Sequence, residues 1–430
     1  MNYRIGLLYG DGIGPEITKA TEVIMKAAVA KTGAEVEFPV FPMGWEAIRE
    51  YGDPVPEVTK EGLKTVHGWV FAPHDSAAYP KEHFAKTNPS GTMRHYFDLF
   101  ANIRPARTYP GVKSRVGEAD VIVLRENSEG SLPDRNMYKG LGEFMPTPDM
   151  AISLNVCTRK ATERLAHEAF RMAMKRRKKL TIVHKANVIK MPGDLFRSII
   201  KEIGAREYPE VQIDDYHIDA MSAHMMRRLK DFDVIITTNL FGDILSDLAG
   251  ELTGSLGLGP AINTNDHQCM AQAAHGSAPD IAGRNIANPV GIMLSAVMMY
   301  DWLADRYQDD KLEKIVRLME NGIIETMKEG CVTPDLGGSA STSGFAEEIR
   351  KKLAQAVEEA CEGTQVILME HHGILVYDRS LAECRSALKV TENVCRMNVF
   401  AAAGRLPLKE VEPETVRDFL EGGYYKKRRG

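Results

Sequence analysis

The first residues that could do chemistry are two carboxylates, Asp243 and Asp247, in the stretch Asn-Leu-Phe-Gly-Asp-Ile-Leu-Ser-Asp at 239–247. The preceding run 234–238 is apolar and β-branched, as in a buried strand, so we expect a turn at Gly242 and then a helix. On a helix, residues four apart share one face, about 6 Å apart at Cβ. Two carboxylates this close favour a divalent cation between them. The alternative is that Asp243 caps the helix and Asp247 is a solvated surface residue.

Three arginines could hold an anion. Arg94 is expected near the start of a helix, Arg104 just past the end of that helix, and Arg125 directly after the apolar strand 121–124. Arginine binds a carboxylate through two parallel hydrogen bonds. If these arginines converge, the ligand is a small anion with more than one carboxylate; if they do not, they are ordinary surface charges.

A lysine and a third carboxylate follow two other predicted strands. Lys185 comes just after the strand 180–183, and Asp219 ends the strand-like stretch 211–219. A lysine in a cleft acts as a base when burial or neighbouring cations lower its pKa. The alternative is a lysine whose aliphatic stem lies on the surface and whose ammonium group stays in water.

Two glycine-containing segments could approach a cofactor. The strand 3–9 leads into Gly-Asp-Gly-Ile-Gly-Pro at 10–15, where a helix begins, and such a helix N-terminus can bind phosphate. The spacing differs from the dinucleotide-binding fingerprint, so a simple tight turn explains it equally well. The loop 275–283 is rich in glycine, proline and small polar residues, which lets the backbone lie close to a ligand.

Composition limits the class of protein. The chain has 430 residues, a net charge of -5, 44% hydrophobic and 26% charged residues, which is enough for more than one core and gives no reason to expect nucleic acid. Six cysteines without Cys-x-x-Cys spacing suit a reducing compartment. No apolar run is long enough to span a bilayer, and Gly10 interrupts the first one too early for a signal peptide. We therefore expect a cytoplasmic enzyme.

Taken together and in order, six segments resemble the β-decarboxylating dehydrogenases, which include isocitrate, isopropylmalate, homoisocitrate, tartrate and D-malate dehydrogenases. The resemblance covers about residues 1–354. It implies a doubly wound α/β fold, a homodimer or higher homo-oligomer, and an active site in a cleft between two domains, 1–98 plus 257–354 and 99–256. The segments are 10–17, 102–105, 125–127, 184–188, 239–247 and 275–283.

The resemblance also implies a role for each candidate residue in NAD- and Mg²⁺-dependent oxidative decarboxylation of a 2-hydroxy acid. Arg94, Arg104 and Arg125 would bind the substrate carboxylates. Asp243 and Asp247, with Asp219 of the partner subunit, would hold Mg²⁺ or Mn²⁺, and the partner subunit's Lys185 would be the base. Asp280 followed by Ile281 favours NAD, because a carboxylate accepts hydrogen bonds from ribose hydroxyls and repels a 2′-phosphate. The expected cofactor-binding residues are Ile13, Asn187, His275, Gly276, Ser277, Ala278, Asp280, Ile281 and Asn288.

Two departures from the family pattern bear on activity and substrate. Leu132 stands where the family has its proton-donating tyrosine. Tyr138 can take the place of that tyrosine only if the segment 131–137 bulges. If it does not, the protein is a catalytically reduced regulatory or nucleotide-binding homologue. Asn88 and Ser90 are expected to bind substrate. Ser90 and Gly91 stand where isopropylmalate enzymes have a leucine pair, and losing that apolar pocket costs about 2 kcal/mol. This disfavours isopropylmalate and leaves isocitrate, tartrate or D-malate as candidates.

Two helices that follow the run 290–304 are expected to end near Ala354, and residues 355–430 extend past the family's usual end. We expect strands at 365–369 and 374–377 and helices at 380–403 and 413–420. The segment weakly resembles the C-terminal part of class II aldolases, in which a histidine at the position of His372 supplies one zinc ligand. The His-x-His pair that supplies the other two ligands is absent from this chain. We therefore interpret the extension as a packing or oligomerisation element, with His371 and His372 as turn residues.

Overall fold

The computed structural model of the chain describes residues 1–80, 82, 88–131, 142–361, 366–369 and 373–376, with side chains up to residue 354. It forms two compact units, Met1–Ala354 and Gln355–Gly430. Leu132, Tyr138, His371 and His372 lie outside the described residues, as do the helices expected at 380–403 and 413–420.

A mixed sheet is the centre of the first unit. Its strands lie in the order β2-β1-β3-β12-β11-β4-β5-β10-β8-β9. The two ends of the sheet are parallel, whereas β11 and β4 run antiparallel to their neighbours. A separate antiparallel hairpin is formed by β6 and β7. The strands are β1 Asn2–Leu8, β2 Glu35–Glu37, β3 Gly68–Phe71, β4 Ala101–Arg107, β5 Asp120–Glu126, β6 Glu143–Thr147, β7 Met150–Ser153, β8 Lys179–His184, β9 Gln212–His217, β10 Val234–Thr237, β11 Ile262–Thr264 and β12 Cys269–Ala271.

Helices cover both faces of this sheet, so the predicted doubly wound α/β fold is confirmed. Alternate residues of one strand point to opposite faces. In β10, Ile236 packs in one core with Phe170, whereas Ile235 packs in another with Met221 and Leu245. The helices are α1 Gly14–Thr32, α2 Trp45–Tyr51, α3 Glu57–Leu63, α4 Pro89–Tyr96, α5 Arg159–Met174, α6 Lys190–Glu207, α7 Ile218–Arg228, α8 Asn239–Thr253, α9 Val290–Tyr307, α10 Asp310–Lys328 and α11 Thr342–Cys361.

Two local expectations around the arginines and carboxylates were wrong. The helix that carries Arg94 ends at Tyr96, and Asp98 then adopts a positive φ of 47°, so Arg104 lies inside strand β4 and not beyond a helix. Phe97 and Phe100 are spaced as in a helix, which led to the expectation of a helix here. Residues 101–107 instead form a strand that pairs with β5 and β11. Asp219 likewise lies in the first turn of α7 and not at a strand end.

Two helix boundaries also differ from the expectation. Helix α8 begins at Asn239, three residues before the expected turn at Gly242. Helix α11 runs on to Cys361, past the expected end near Ala354.

In the second unit, β13 (Val366–Met369) and β14 (Gly373–Val376) pair antiparallel, close to the two expected strands. Among the helices that the structure describes, none is long and apolar enough to cross a membrane. Cys157, Cys269 and Cys331 are free thiols. The division of residues 1–354 into two domains stays a prediction.

Candidate active site

Two of the predicted arginines converge on the predicted carboxylate pair. Arg104 and Arg125 come from the antiparallel neighbours β4 and β5 and are each only 7% exposed. Arg104 Nη1 lies 3.2 Å from Asp243 Oδ1 and 3.4 Å from Asp247 Oδ1. Arg125 Nη1 is paired with the same Asp243 oxygen. The carboxylates stay about half exposed, at 48% and 50%, so they can reach a ligand.

Other contacts hold the two guanidinium groups in place. Arg104 Nη1 donates to Ser246 Oγ at 2.8 Å, and its Nε donates to Asn102 Oδ1 at 3.1 Å. Arg125 Nη2 donates to Asn239 Oδ1 at 2.8 Å. Because Arg104 is bound on several sides, its orientation is set by the protein before any ligand arrives.

Helix α8 presents Asp243 and Asp247 on one face, as the spacing predicts. Thr238 is its N-cap residue, so the alternative in which Asp243 caps the helix is wrong. Burial raises the pKa of Asp247, and the charge of Asp243 raises it further, against the opposite effect of Arg104. A cation between the two carboxylates would relieve this repulsion, and their oxygens suit a hard divalent ion.

Gly242 lets α8 approach strand β5 closely. A Cβ at this position would lie 2.6 Å from both Cβ and Cγ of Arg125 and 3.1 Å from its Cα. Atoms do not pack that closely, so either the helix or Arg125 would have to move. The alignment of Arg125 with Asp243 therefore depends on residue 242 being a glycine, which has no side chain.

Replacing Gly242 with alanine is expected to lower the free energy of unfolding by about 1–3 kcal/mol, the usual cost of overpacking. Gly250 lies in the same helix with nothing within 4 Å of its would-be Cβ. Gly250→Ala is therefore the control, and should be neutral or stabilising because alanine favours a helix. Chemical denaturation measures both; equal stability of the two variants would show that the contact with Arg125 is not tight.

The third predicted carboxylate lies elsewhere in the same chain. Asp219 Oδ1 accepts a hydrogen bond from Lys185 Nζ at 2.6 Å, and this bond lowers the pKa of Asp219. Within the described part of one chain, no three Asp, Glu, His or Cys side chains are grouped as a metal site would require. That Asp219 of a partner subunit joins Asp243 and Asp247 in a centre of three carboxylates stays a prediction.

Lys185 lies just after β8 and lines a cavity of about 50 Å³ together with Cys157, Thr238 and Phe241. Asn187 follows in the exposed turn that leads to α6. Four strands lie between β8 and β12 in the sheet. Their axes are therefore five strand spacings apart, which is about 24 Å at the usual ~4.8 Å per spacing. The loop 275–283 follows β12, so Lys185 and Asn187 are not brought next to the other expected cofactor residues within one chain.

The third arginine belongs to a second hydrogen-bonded group, next to the one around Arg104 and Arg125. Arg94 Nη2 donates to Gln272 Oε1 at 3.1 Å, and Gln272 Nε2 donates to Ser90 Oγ at 2.7 Å. Ser90 Oγ also lies 2.7 Å from His74 Nε2. Asn88 uses its side-chain oxygen to cap α4, accepting from the Gly91 N–H at 2.8 Å. The expected substrate residues Ser90 and Arg94 are therefore linked through Gln272, and His74 also contacts Ser90; sequence reasoning missed both Gln272 and His74.

A buried amide chain joins this group to Arg104. Asn102 Nδ2 donates to Asn263 Oδ1 at 2.9 Å, and Asn263 Nδ2 donates to Gln272 Oε1 at 3.3 Å. Both asparagines are fully buried within strands β4 and β11. No signal in the sequence indicated these contacts, because Arg104 was expected beyond a helix and the pairing of β4 with β11 joins segments far apart in the chain.

The two glycine-containing segments pack against each other. The Ile13 N–H donates to the Ser277 carbonyl at 2.9 Å, and a Cβ on Gly12, whose φ is +60°, would lie only 2.0 Å from that oxygen. His275 Nε2 is buried and has no hydrogen-bond partner among the described residues. A Cβ on Gly276 would have no atom within 4 Å apart from its chain neighbours. The residues expected to bind the cofactor at Ile13 and Ser277 are therefore in direct backbone contact.

The remaining expected cofactor residues form one turn-rich segment. Ala278 has a positive φ of 37° and accepts a hydrogen bond from the Ile281 N–H, while Asp280 is exposed. Asn288 is buried and donates to Asp335 Oδ2 at 2.9 Å. Asp335 was not singled out from the sequence. The structure thus gathers Ile13 and residues 275–288 on one side of the sheet.

Comparison with known proteins adds a family-level finding. The model of the isocitrate/isopropylmalate dehydrogenase family matches residues 4–349, and that of the class II aldolase and adducin N-terminal domain matches residues 317–399. The isocitrate/homoisocitrate dehydrogenase of Thermus thermophilus is 39% identical over 354 residues, covering 82% of this chain and 99% of that protein.

Two further matches agree with this result. The 3-isopropylmalate dehydrogenase of Sulfurisphaera tokodaii is 36% identical over 366 residues, covering 82% of this chain and all of that protein. A crystal structure of isocitrate dehydrogenase from Methylococcus capsulatus is 34% identical and superposes with a TM-score of 0.73, covering 82% of this chain and all of that one.

Proposed function

From the premise that the chain belongs to the isocitrate/isopropylmalate dehydrogenase family, we propose that it catalyses NAD- and Mg²⁺- or Mn²⁺-dependent oxidative decarboxylation of a 2-hydroxy polycarboxylic acid. Its relatives are decarboxylating dehydrogenases with different substrates. The observation that carries the proposal is the convergence of Arg104 and Arg125 on Asp243 and Asp247. We propose an isocitrate-, tartrate- or D-malate-like substrate.

The side chains have complementary roles in this reaction. Arg94, Arg104 and Arg125 would bind and orient the substrate carboxylates, and Lys185 Nζ would accept the proton of the substrate hydroxyl. When bound, a divalent ion at Asp243 and Asp247 supplies a Lewis acid, and NAD supplies the hydride acceptor. Tyr138, outside the described residues, is proposed as the acid that returns a proton after CO₂ is lost.

Charge supports NAD over NADP. Asp280 is exposed in the loop that contains His275 and Gly276. The 2′-phosphate of NADP would place two negative charges near the Asp280 carboxylate. Like charges this close repel each other. A ribose hydroxyl, by contrast, can donate a hydrogen bond to the carboxylate.

Exposed apolar side chains support a homodimer. Met191 on α6 is 86% exposed, Val188 just before α6 is 66% exposed, and Leu240 and Ile244 on α8 are about half exposed. Large apolar side chains grouped on a surface mark interaction sites. A second copy of the chain covering this surface would bring Lys185 and Asp219 of the partner subunit towards the carboxylate pair. The free thiols suit a reducing compartment, so a cytoplasmic location belongs to the same proposal.

One observation favours a second candidate function. Leu132 occupies the family's tyrosine position, and leucine cannot donate a proton. A protein without a replacement acid would bind carboxylates and nucleotide and regulate a partner with little turnover of its own.

An assay of NADH formation separates the two functions. The purified full chain is incubated with Mg²⁺, NAD or NADP, and isocitrate, tartrate, D-malate or isopropylmalate. We expect NAD-dependent turnover of at least one acid other than isopropylmalate, lost with EDTA and restored by Mg²⁺ or Mn²⁺. Binding of these acids without turnover would favour the regulatory protein, and EDTA-insensitive turnover would contradict the metal proposal.

A further inference from the structure

We propose that a surface groove at the start of strands β3 and β12 binds a small oxyanion, the phosphate or carboxylate group of a metabolite, at a site apart from the carboxylate pair. The groove has a volume of about 390 Å³, which is within the usual range for a small-molecule site. Lys64, His67, His267 and Tyr307 are among the residues that line it. This inference goes beyond the proposed function and does not depend on it.

The groove lies at the other end of these strands from the candidate active site. His67 is the residue before β3, Gln268 is the residue before β12, and the two parallel strands pair from their first residues onward. Gln272, which contacts Arg94, directly follows the carboxyl end of β12. A ligand in the groove would therefore bind at a second site and would not occupy the site around the arginines.

The tautomer of His67 follows from its neighbours. Its Nδ1 accepts a hydrogen bond from the Arg4 backbone N–H at 3.1 Å. Burial lowers the pKa of His67, so the ring is neutral near pH 7 and carries its one hydrogen on Nε2. The rings of Tyr3 and Tyr307 contact the imidazole edge to face, with centroids 5.4 and 5.7 Å away. His67 is thus a fixed ring whose Nε2–H has no hydrogen-bond acceptor among the described residues.

A second histidine presents the same donor. His267 is exposed in the turn that joins β11 to β12. Arginine has only donor hydrogens, so Arg306 Nη2, 3.4 Å away, donates to His267 Nδ1. Neutral or protonated, His267 therefore carries a hydrogen on Nε2. Gln268 holds the turn in place, because its Nε2 donates to the carbonyls of Leu63 and Val66 at 2.8 and 3.1 Å.

Lys64 adds a positive charge to the two histidine donors. Its ammonium group is paired with Glu61, and because it has three hydrogens, at least one is left for a ligand. Thr65 Oγ1 accepts from Arg4 Nη1 and donates to the Gly62 carbonyl, both at 2.7 Å. In the described part of the chain, no aspartate or glutamate lines the groove. Donor hydrogens and a cation without a carboxylate beside them suit an oxyanion.

The same tautomers argue against a transition-metal ion as the ligand. A histidine binds a metal through a nitrogen that carries no hydrogen. In both rings Nδ1 already accepts a hydrogen bond and Nε2 is protonated. A metal would have to break one of these bonds or shift the tautomer, whereas an anion accepts from both Nε2–H groups as they stand.

The test follows the histidine signals of the full chain, labelled with ¹⁵N at histidine, while inorganic phosphate or malonate is added at constant ionic strength. We expect the Nε2–H tautomer in both His67 and His267, and saturable shifts of both signals with one common dissociation constant. The anion that binds more tightly shows whether the ligand is a phosphate or a carboxylate. His167 on α5, which contacts Tyr208, should not shift. Because the signals are local, binding to the arginines of the active site does not obscure the result.

Lys64→Met and His267→Ala are each expected to weaken phosphate binding, as reported by the His67 signal, by about 10-fold or more, because each removes one charge-assisted hydrogen bond. Lys60→Met is the matched control. The ammonium groups of Lys60 and Lys64 both lie 5.3 Å from the centre of the Tyr96 ring, but Lys60 does not line the groove. Lys60→Met should therefore bind phosphate like the wild type.

The absence of a saturable shift with either anion, an equal shift with chloride, or Nδ1–H tautomers in both rings would overturn the inference. Binding of Zn²⁺ through the two histidines would do the same. An equal loss of affinity in Lys60→Met and Lys64→Met would show that general surface charge attracts the anion, which also contradicts a built site. None of these results depends on turnover of a 2-hydroxy acid, so failure of this site and failure of the proposed function are distinguishable.

Discussion

Lys185→Ala is expected to lower kcat by about 10³-fold or more while the fold is retained. Removing a positioned general base costs about 10²–10⁴-fold, and Lys185 is the proposed acceptor of the hydroxyl proton. The loss of its bond to Asp219 should cost little stability, because the Asp219 side chain is 68% exposed and exposed ion pairs contribute little. Steady-state kinetics and thermal unfolding measure the two effects.

Lys190, exposed at the start of α6, provides the matched control: Lys190→Ala should keep wild-type kcat and stability. Full activity in Lys185→Ala would remove this lysine from the mechanism. Loss of activity together with loss of stability would instead indicate a structural role.

Asp247→Asn is expected to raise the Mg²⁺ concentration needed for half-maximal activity by about 100-fold, the scale seen when a metal site loses a charged contact. The Asp247 contact with Arg104 is long, at 3.4 Å, so thermal stability should change little. Activity measured against Mg²⁺ concentration, with EDTA-treated protein as the starting point, gives the result. An unchanged Mg²⁺ requirement would contradict the assignment of Asp247 as a ligand.

Asp243→Asn is the informative comparison because this carboxylate also balances two buried arginines. It should raise the Mg²⁺ concentration needed for half-maximal activity to a similar degree and in addition lower the free energy of unfolding by about 1–3 kcal/mol, since Arg104 and Arg125 lose a charged acceptor. Equal stability of the two variants would show that the arginines do not depend on Asp243.

Mixed dimers of Lys185→Ala and Asp247→Asn test whether active sites are shared between subunits. If Lys185 of the partner subunit completes each site, a mixed dimer has one site with both defects and one intact site. Random assortment then restores about a quarter of wild-type activity, because half of the dimers are mixed. If each site is built within one chain, every site carries a defect and no activity returns.

Features that depend on neighbouring residues in the chain could be predicted. The i, i+4 spacing placed Asp243 and Asp247 on one helical face, and the apolar runs located the strands that precede Lys185 and Asn239. The run 121–124 located β5, although this strand extends to Glu126 and so contains Arg125. These predictions succeed because helical and strand periodicities repeat over a few residues, so a short stretch of sequence carries the whole signal.

Features that depend on distant segments were decided only by the tertiary structure. Arg104 was expected beyond a helix, but its place in β4 follows from pairing with β5 and β11. Gln272 contacts Arg94 and Ser90 across more than 170 residues of chain, and its role depends on the order of strands in the sheet. Hydrogen bonds act only over about 3 Å, so no local pattern can report a partner that folding alone brings within that distance.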